Sequence, residues 1–248
     1  MRLIYILSAV GSQFCSLEIR DIHLGPLINS KPPFSGVRWC RGFTDDNMCA
    51  KYPDATLHDS TRIRFMDGHN RFRAAAANGF AYMGPYGYTP YAEDMEVMAW
   101  KCDAEGKAIE LAKQCKENGL PVPNGYKMNN IMIEKRGRVD DDAIEEALGT
   151  WRNEIMNHGL KMTFTKDMED TVGHATKMLW HNNTNIACAV GDCQDKYSFV
   201  CLYLSGGNEV GQPIYKDTTE GAFVCSSCPA GTQCDDYNDK LCYPDWAE

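Results

Sequence analysis

One stretch, residues 173–180 (GHATKMLW), constrains the fold more than any other part of this sequence. It places His174 just ahead of the apolar run Met178, Leu179 and Trp180. Two short apolar segments follow, residues 186–190 (IACAV) and 197–203 (YSFVCLY), with turn residues between them. This pattern predicts two β-strands joined by a turn.

The same stretch resembles a known family. Together with residues 205–208 (SGGN), it is similar to the two signatures of the CAP superfamily of cysteine-rich secretory proteins, antigen-like venom allergens and plant pathogenesis-related proteins. Residues 69–73 (HNRFR) and 92–115 resemble the first and second helices of that family, so the resemblance spans about residues 58–242. It implies an α+β fold, a three-layer α-β-α sandwich in which a small antiparallel sheet packs between helices.

The spacing of apolar residues predicts the elements in more detail. Asp59 or Ser60 is the expected N-cap of a first helix, and helical spacing from Met95 to Cys115 predicts a second. Residues 129–134 predict a short strand, and residues 140–142 an acidic start to a third helix. Glu154 lies at the edge of that helix's apolar stripe, three residues after Trp151. A carboxylate so placed needs a partner.

The N-terminus and the charge indicate the compartment. Arg2 precedes an apolar run, residues 3–10, that is long enough for the hydrophobic region of a signal peptide and too short to span a bilayer. The net charge is −9, so no basic footprint for nucleic acid is present. We expect a secreted protein without a transmembrane segment, organised as a signal peptide (1–16), an extension with Cys and Pro (17–57), a CAP domain (58–215) and a Cys-rich hinge tail (216–248).

Twelve cysteines favour disulfides formed in an oxidising compartment. The Cys-x-x-Cys at residues 225–228 is also compatible with a zinc ribbon or a redox pair, but a second Cys-x-x-Cys is missing. The tail resembles the hinge of nematode Ancylostoma-secreted and venom-allergen-like proteins. Pairing stays open, and the expected disulfide cysteines are Cys40, Cys49, Cys102, Cys115, Cys188, Cys193, Cys201, Cys225, Cys228, Cys234 and Cys242.

The resemblance also implies a candidate site. CAP proteins often hold a cavity lined by two His and two Glu that binds a divalent metal such as zinc. Glu154 and His174 match two of these ligands, whereas Gly119 and Asn129 stand where the others fall. Because tight structural zinc needs three or four protein ligands, the sequence predicts a hydrogen-bonded or charge-paired Glu154 and His174 with at most weak zinc and no other cofactor. His69 is expected to be a core histidine without a chemical role.

These observations favour binding over catalysis. No Gly-x-Ser-x-Gly elbow is present and no catalytic residue is predicted. We expect a secreted, non-enzymatic protein that binds host extracellular proteins, with an immunomodulatory role in a parasitic nematode. The alternatives are a sterol or fatty-acid carrier and, third, a metal-dependent hydrolase. Asn182 begins an N-glycosylation sequon, and the loop at residues 83–91 carries tyrosines that either form a recognition patch or pack on their own domain.

Overall fold

The computed structural model describes residues 48–137, 139–204, 206–236 and 239–245. The predicted signal peptide, most of the predicted extension, and Cys40 lie outside the described residues. The helices and longer strands follow in chain order as α1 Asp59–Ala77, β1 Tyr91–Ala92, β2 Ala99–Trp100, α2 Cys102–Ala112, β3 Tyr126–Glu134, α3 Asp140–His158, α4 Glu169–Leu179, β4 Asn185–Cys193, β5 Lys196–Leu204, β6 Asp217–Thr218, β7 Thr232–Cys234 and β8 Cys242–Pro244.

A four-stranded sheet forms the middle layer, in the order β2-β4-β5-β3. Strand β5 is antiparallel to both β3 and β4, and the short β2 runs parallel to β4. Side chains that alternate along β5 face opposite cores. Phe199, Cys201 and Tyr203 belong to the larger core, whereas Val200 and Leu202 belong to the smaller one.

The two cores define the three layers. The larger core joins the sheet to α1, α3 and α4, with Phe65, Trp151 and Met178 among its buried side chains. The smaller core lies beneath α2, whose Ala108, Leu111 and Ala112 pack against the opposite face of the sheet. The predicted α-β-α sandwich is therefore confirmed, as are the two strands around the turn after Cys193. The sheet is mixed and not wholly antiparallel as expected, because β2 pairs parallel with β4.

The second helix is shorter than the sequence pattern predicts. Residues 92–101 are not helical: Ala92 ends β1, a bend follows, Ala99 and Trp100 form β2, and α2 begins only at Cys102. Met95 and Met98 are buried as expected, but the backbone N–H groups of this segment bond to other parts of the chain, for example Val97 N to Cys242 O (3.0 Å) and Ala99 N to Thr184 O (2.8 Å). Apolar spacing imitated a helix where tertiary hydrogen bonds hold an extended chain.

The predicted N-cap of α1 is also wrong by one residue. The cap is His58, which is in an extended conformation, and Asp59 is the first helical residue. The Asp59 carboxylate pairs with Arg62 (2.6 Å) and accepts from Met48 N (3.2 Å). The side chain of the N-cap residue, His58, makes no capping hydrogen bond.

Five disulfides connect described residues: Cys49–Cys102, Cys115–Cys193, Cys188–Cys201, Cys225–Cys234 and Cys228–Cys242. The third joins residues that lie directly opposite each other on β4 and β5. The Cys-x-x-Cys cysteines each bond a later cysteine of the tail. The tail packs against the rest of the protein, because Leu241 is fully buried in the larger core and Cys242 N donates to Met95 O (2.8 Å).

Arg73 binds the backbone at the C-terminal end of α4, the helix that contains His174. Its buried guanidinium donates to four carbonyl oxygens at 2.7–2.9 Å, those of Glu96, Met178, Trp180 and His181. Burial lowers its pKa to about 9. Carbonyls at the end of α4 that lack a helical partner are thereby satisfied by one side chain from α1.

Candidate functional site

Glu154 and His174 meet where α3 packs on α4. The imidazole Nδ1 lies 2.6 Å from Glu154 Oε1. The Trp151 ring stacks on the imidazole at 5.9 Å with an interplanar angle of 13°. Because His174 is 39% exposed and Glu154 is 19% exposed, the pair sits at the edge of the core with the ring accessible to solvent.

The Glu154 carboxylate also closes a helix start. Helix α4 contains a kink at Val172, whose φ of −132° and ψ of 15° are not helical. After this kink, the N–H groups of His174 and Ala175 donate to Glu154 Oε2 at 3.0 and 2.9 Å. Free N–H groups at a helix start bind anions well, so Glu154 acts as a cap supplied by a neighbouring helix.

A buried chain of hydrogen bonds runs behind this pair. His69 Nδ1 donates to Phe65 O (2.7 Å), so its Nε2 accepts from the Tyr203 hydroxyl (2.8 Å). Asn129 Nδ2 then donates both to the Tyr203 hydroxyl and to His174 O, each at 3.0 Å. Burial lowers the pKa of His69 to about 4 and raises that of Tyr203, which keeps both groups neutral as this pattern requires.

The donors present do not fit a tight zinc site. Both Glu154 oxygens already accept N–H groups of the protein, and Asn129 directs its amide N–H₂ at two oxygens. The Asn129 Oδ1 is buried and has no partner among the described residues. Gly119 has no side chain, a φ of +73°, and no heavy atom within 4 Å of where a Cβ would stand. His174 therefore remains as one ligand where zinc needs three or four.

The second signature packs against the first. Asn208 Nδ2 donates to Gly173 O (3.0 Å) and to Glu169 Oε2 (2.9 Å), and its Oδ1 accepts from the Thr176 hydroxyl (2.6 Å). Asn208 adopts a φ of 56°, a left-handed conformation that Asn tolerates better than most residues. The two segments singled out in the sequence are thus one polar unit around the start of α4.

Comparisons with known proteins agree with this architecture. The model of the cysteine-rich secretory protein family, CAP, matches residues 66–203, which is more than half of the chain. This chain belongs to the CAP family. An Ancylostoma secreted protein from Ancylostoma caninum is 30% identical over 214 residues, 77% of this chain and 48% of that protein. This chain therefore spans about half the length of that relative.

Two solved structures extend the comparison. A crystal structure of NaASP2 with Zn²⁺ has a TM-score of 0.68 at 30% identity and covers 77% of this chain and 98% of its own. A crystal structure of Hookworm Platelet Inhibitor has a TM-score of 0.58 at 25% identity and covers 77% of this chain and 94% of its own. Recognition of the chain as a CAP protein close to the nematode Ancylostoma-secreted proteins is thus confirmed.

A second surface of this CAP protein is built from aromatic residues. Phe80, Tyr82, Tyr86 and Tyr88 lie close together in sequence and are 52–62% exposed, and we refer to them together as the aromatic face. The Tyr82 and Tyr88 rings lie 5.3 Å apart, and their backbones form an antiparallel bridge. The last tyrosine of the loop, Tyr91, differs from the others because it is half-buried and its ring packs toward Gly79.

The aromatic face is seated on the end of α3. A Cβ on Gly84 would stand 2.2 Å from Met156 O, and one on Gly159 would stand 2.6 Å from the Tyr86 ring. These glycines permit contacts that any side chain would block, and both have positive φ. The loop is therefore held in place while its rings remain in solvent.

Asn182, the sequon residue, is exposed in the turn after α4. Several residues of the site carried no sequence prediction of their role. For Tyr203, the sequence shows only that it lies in an apolar strand, and nothing predicts its hydrogen bonds. Arg73 could have been singled out, because it is the arginine of the motif at residues 69–73. Arg62 and Glu105 form a buried ion pair with a distance of 2.8 Å between Arg62 Nε and Glu105 Oε2. They are 43 residues apart in sequence, and no sequence signal predicts the pair.

Proposed function

We propose that this CAP protein is secreted and acts without catalysis, by binding extracellular proteins of a host, with an immunomodulatory role in a parasitic nematode. The single observation that carries the proposal is the aromatic face, because tyrosine and phenylalanine are enriched at protein interfaces. The kinship with an Ancylostoma secreted protein and with a structure named for platelet inhibition supports a role outside the cell. No helix among the described residues has the length and apolar character needed to cross a membrane.

The candidate site supports binding over hydrolysis. Glu154 orients the His174 ring, as a carboxylate orients the general base of a catalytic triad. However, no hydroxyl or thiol of the described residues hydrogen-bonds the His174 ring. Nucleophilic catalysis needs such a partner within about 3 Å of the base. The Glu154 carboxylate also accepts hydrogen bonds from the backbone N–H groups of His174 and Ala175. This favours a structural role for the Glu154–His174 pair.

Sterol binding in the loop before the signature has little support. The aromatic residue of that loop, Phe164, is 1% exposed and packs edge-on against Trp180 at 6.2 Å. It belongs to the core, where a ligand does not reach it. A fatty acid remains a second candidate because one groove, between α1 and α3, has a largely apolar lining and a volume of about 280 Å³.

The test uses the glycosylated, oxidised protein against an array of purified host extracellular domains, read by biolayer interferometry. We expect at least one saturable interaction, weakened at least about tenfold in Tyr82→Ser/Tyr88→Ser, since central aromatic residues dominate interface energetics. The control is Tyr52→Ser, a tyrosine 44% exposed in the segment before α1. Absence of any saturable partner, or equal binding by the double variant, refutes the proposal.

A further inference from the structure

The groove between α1 and α3 combines an apolar floor with a cationic rim. Phe72, Ile155 and Met156 contribute to the floor, and Arg71 and Arg152 lie at the rim. We call it the arginine groove. Tyr82 lines it as well, so the groove is continuous with the aromatic face.

The two arginines share one carboxylate. Arg71 Nη2 lies 3.5 Å from Glu145 Oε1, and Arg152 Nη2 lies 3.9 Å from Glu145 Oε2. The second distance is too long for a hydrogen bond, and Arg152 donates none within the described part of the chain. A guanidinium has five N–H donors. When a guanidinium is half-buried and its donors make no hydrogen bonds, its desolvation is unfavourable.

The pKa of Arg152 reflects its burial and its charged neighbours. Burial lowers the pKa of Arg152, and the neighbouring Arg71 lowers it further, whereas Glu145 acts in the opposite direction. Arg71 also donates through Nε to Asp67 O (3.4 Å), so Arg152 is the guanidinium of the two that makes no hydrogen bond within the described residues. An added carboxylate would complete the hydrogen bonding of both guanidinium groups in the paired geometry that arginine favours.

We propose that the arginine groove binds an extended acidic peptide segment of a partner protein. The segment places an aspartate or glutamate carboxylate between Arg71 and Arg152 and a neighbouring apolar side chain on the groove floor, while the aromatic face covers the flanking residues. This inference rests on the proposed function and specifies the chemistry of the partner. The groove, with a volume of about 280 Å³, fits one or two side chains, and Tyr82 joins its lining to the aromatic face.

The probe is a positional-scanning library of N-acetylated hexapeptide amides, which carry no terminal carboxylate. Binding is measured by fluorescence polarisation in 0.15 M salt, where charges beyond about 8 Å are screened. We expect the wild type to select Asp or Glu at one position and an apolar residue beside it. Arg71→Gln/Arg152→Gln should bind the selected peptide at least about tenfold more weakly, and replacing the selected acid by its amide should weaken wild-type binding to the same extent.

The matched control is Arg136→Gln, an exposed arginine in the turn that precedes α3. Circular dichroism checks that each variant is folded, and Arg71→Gln alone provides a second variant, because this side chain is 64% exposed and its loss leaves the core intact. The single variant should also bind the selected peptide more weakly.

Three results overturn the inference. They are a wild type that selects no acidic residue, arginine variants that bind as well as the wild type, and a wild type that binds ¹³C-labelled palmitate through these arginines while selecting no peptide. The last result assigns the groove to a fatty acid. In each case the proposed function is judged separately, by whether the host interaction is lost in Tyr82→Ser/Tyr88→Ser.

Discussion

Replacing Glu154 separates a structural carboxylate from one kept for metal binding. In the structure it accepts three hydrogen bonds, from His174 N, Ala175 N and His174 Nδ1, at 2.6–3.0 Å. Two of these donors are backbone N–H groups that directly follow the kink at Val172 in α4. We therefore expect Glu154→Ala to destabilise the metal-free protein.

The size of the effect follows from these contacts. A hydrogen bond to a charged group contributes about 1.5–3 kcal/mol when buried. Glu154 is 19% exposed, so water replaces part of what is lost. We expect the free energy of unfolding to fall by about 2–4 kcal/mol in Glu154→Ala, and by about 1–2 kcal/mol in Glu154→Gln, whose single amide oxygen serves fewer of the three donors.

The assay is urea unfolding at pH 7 with the disulfides intact, followed by circular dichroism with and without a chelator. Glu110→Ala, an exposed glutamate on α2, is the control and should change stability by no more than about 0.5 kcal/mol. A loss below about 1 kcal/mol in Glu154→Ala would refute the capping argument. A loss that disappears when chelator is present would show instead that the carboxylate acts through a bound metal.

Three further predictions concern other parts of the molecule. Because burial lowers the folded-state pKa of His69 to about 4 against 6.5 when unfolded, the unfolded chain binds the extra proton between these values. Stability due to neutral His69 is complete above pH 6.5 and falls by about 3 kcal/mol toward pH 4, at 1.36 kcal/mol per unit. Urea midpoints measured from pH 7 to pH 4 should therefore fall less steeply for His69→Gln, and parallel slopes would contradict this. Elemental analysis and zinc titration should find less than one tightly bound zinc in wild type and His174→Ala alike; stoichiometric zinc lost in the variant would disprove the donor argument. Protein expressed through a eukaryotic secretory pathway should carry one N-glycan, detected as an enzymatic mobility shift that is absent in Asn182→Gln, and an unshifted wild type would show an unused sequon.

Sequence patterns predicted best what depends on neighbours along the chain. The period of α3 placed Glu154 beside the apolar stripe, and burial of a carboxylate demanded a partner, so its contact with His174 followed from the family motif and simple physics. The apolar runs at residues 186–190 and 197–203 predicted β4 and β5, and they are apolar throughout because both faces of these central strands are covered.

The parts that were missed depend on contacts between distant residues. Met95 and Met98 are core residues at helical spacing, but their segment is extended because its N–H groups find acceptors elsewhere in the chain. Asn129 was expected only as a lost ligand, whereas its amide links Tyr203 to the backbone of His174. No local pattern shows that Arg62 and Glu105 form a fully buried pair across 43 residues.

The layer formed by α2 has a different kind of support from the layer on the other side of the sheet. Its apolar core is small, and each end of the helix is tied covalently, through Cys102 to Cys49 and, just past its last turn, through Cys115 to Cys193. The opposite layer relies on a large core and on no disulfide between its helices among the described residues. Thiol reduction should therefore expose the α2 layer first, as a separate cooperative unit in native-state hydrogen exchange, while α1, α3 and α4 stay protected. An oxidising compartment would then be required by one half of the sandwich far more than by the other.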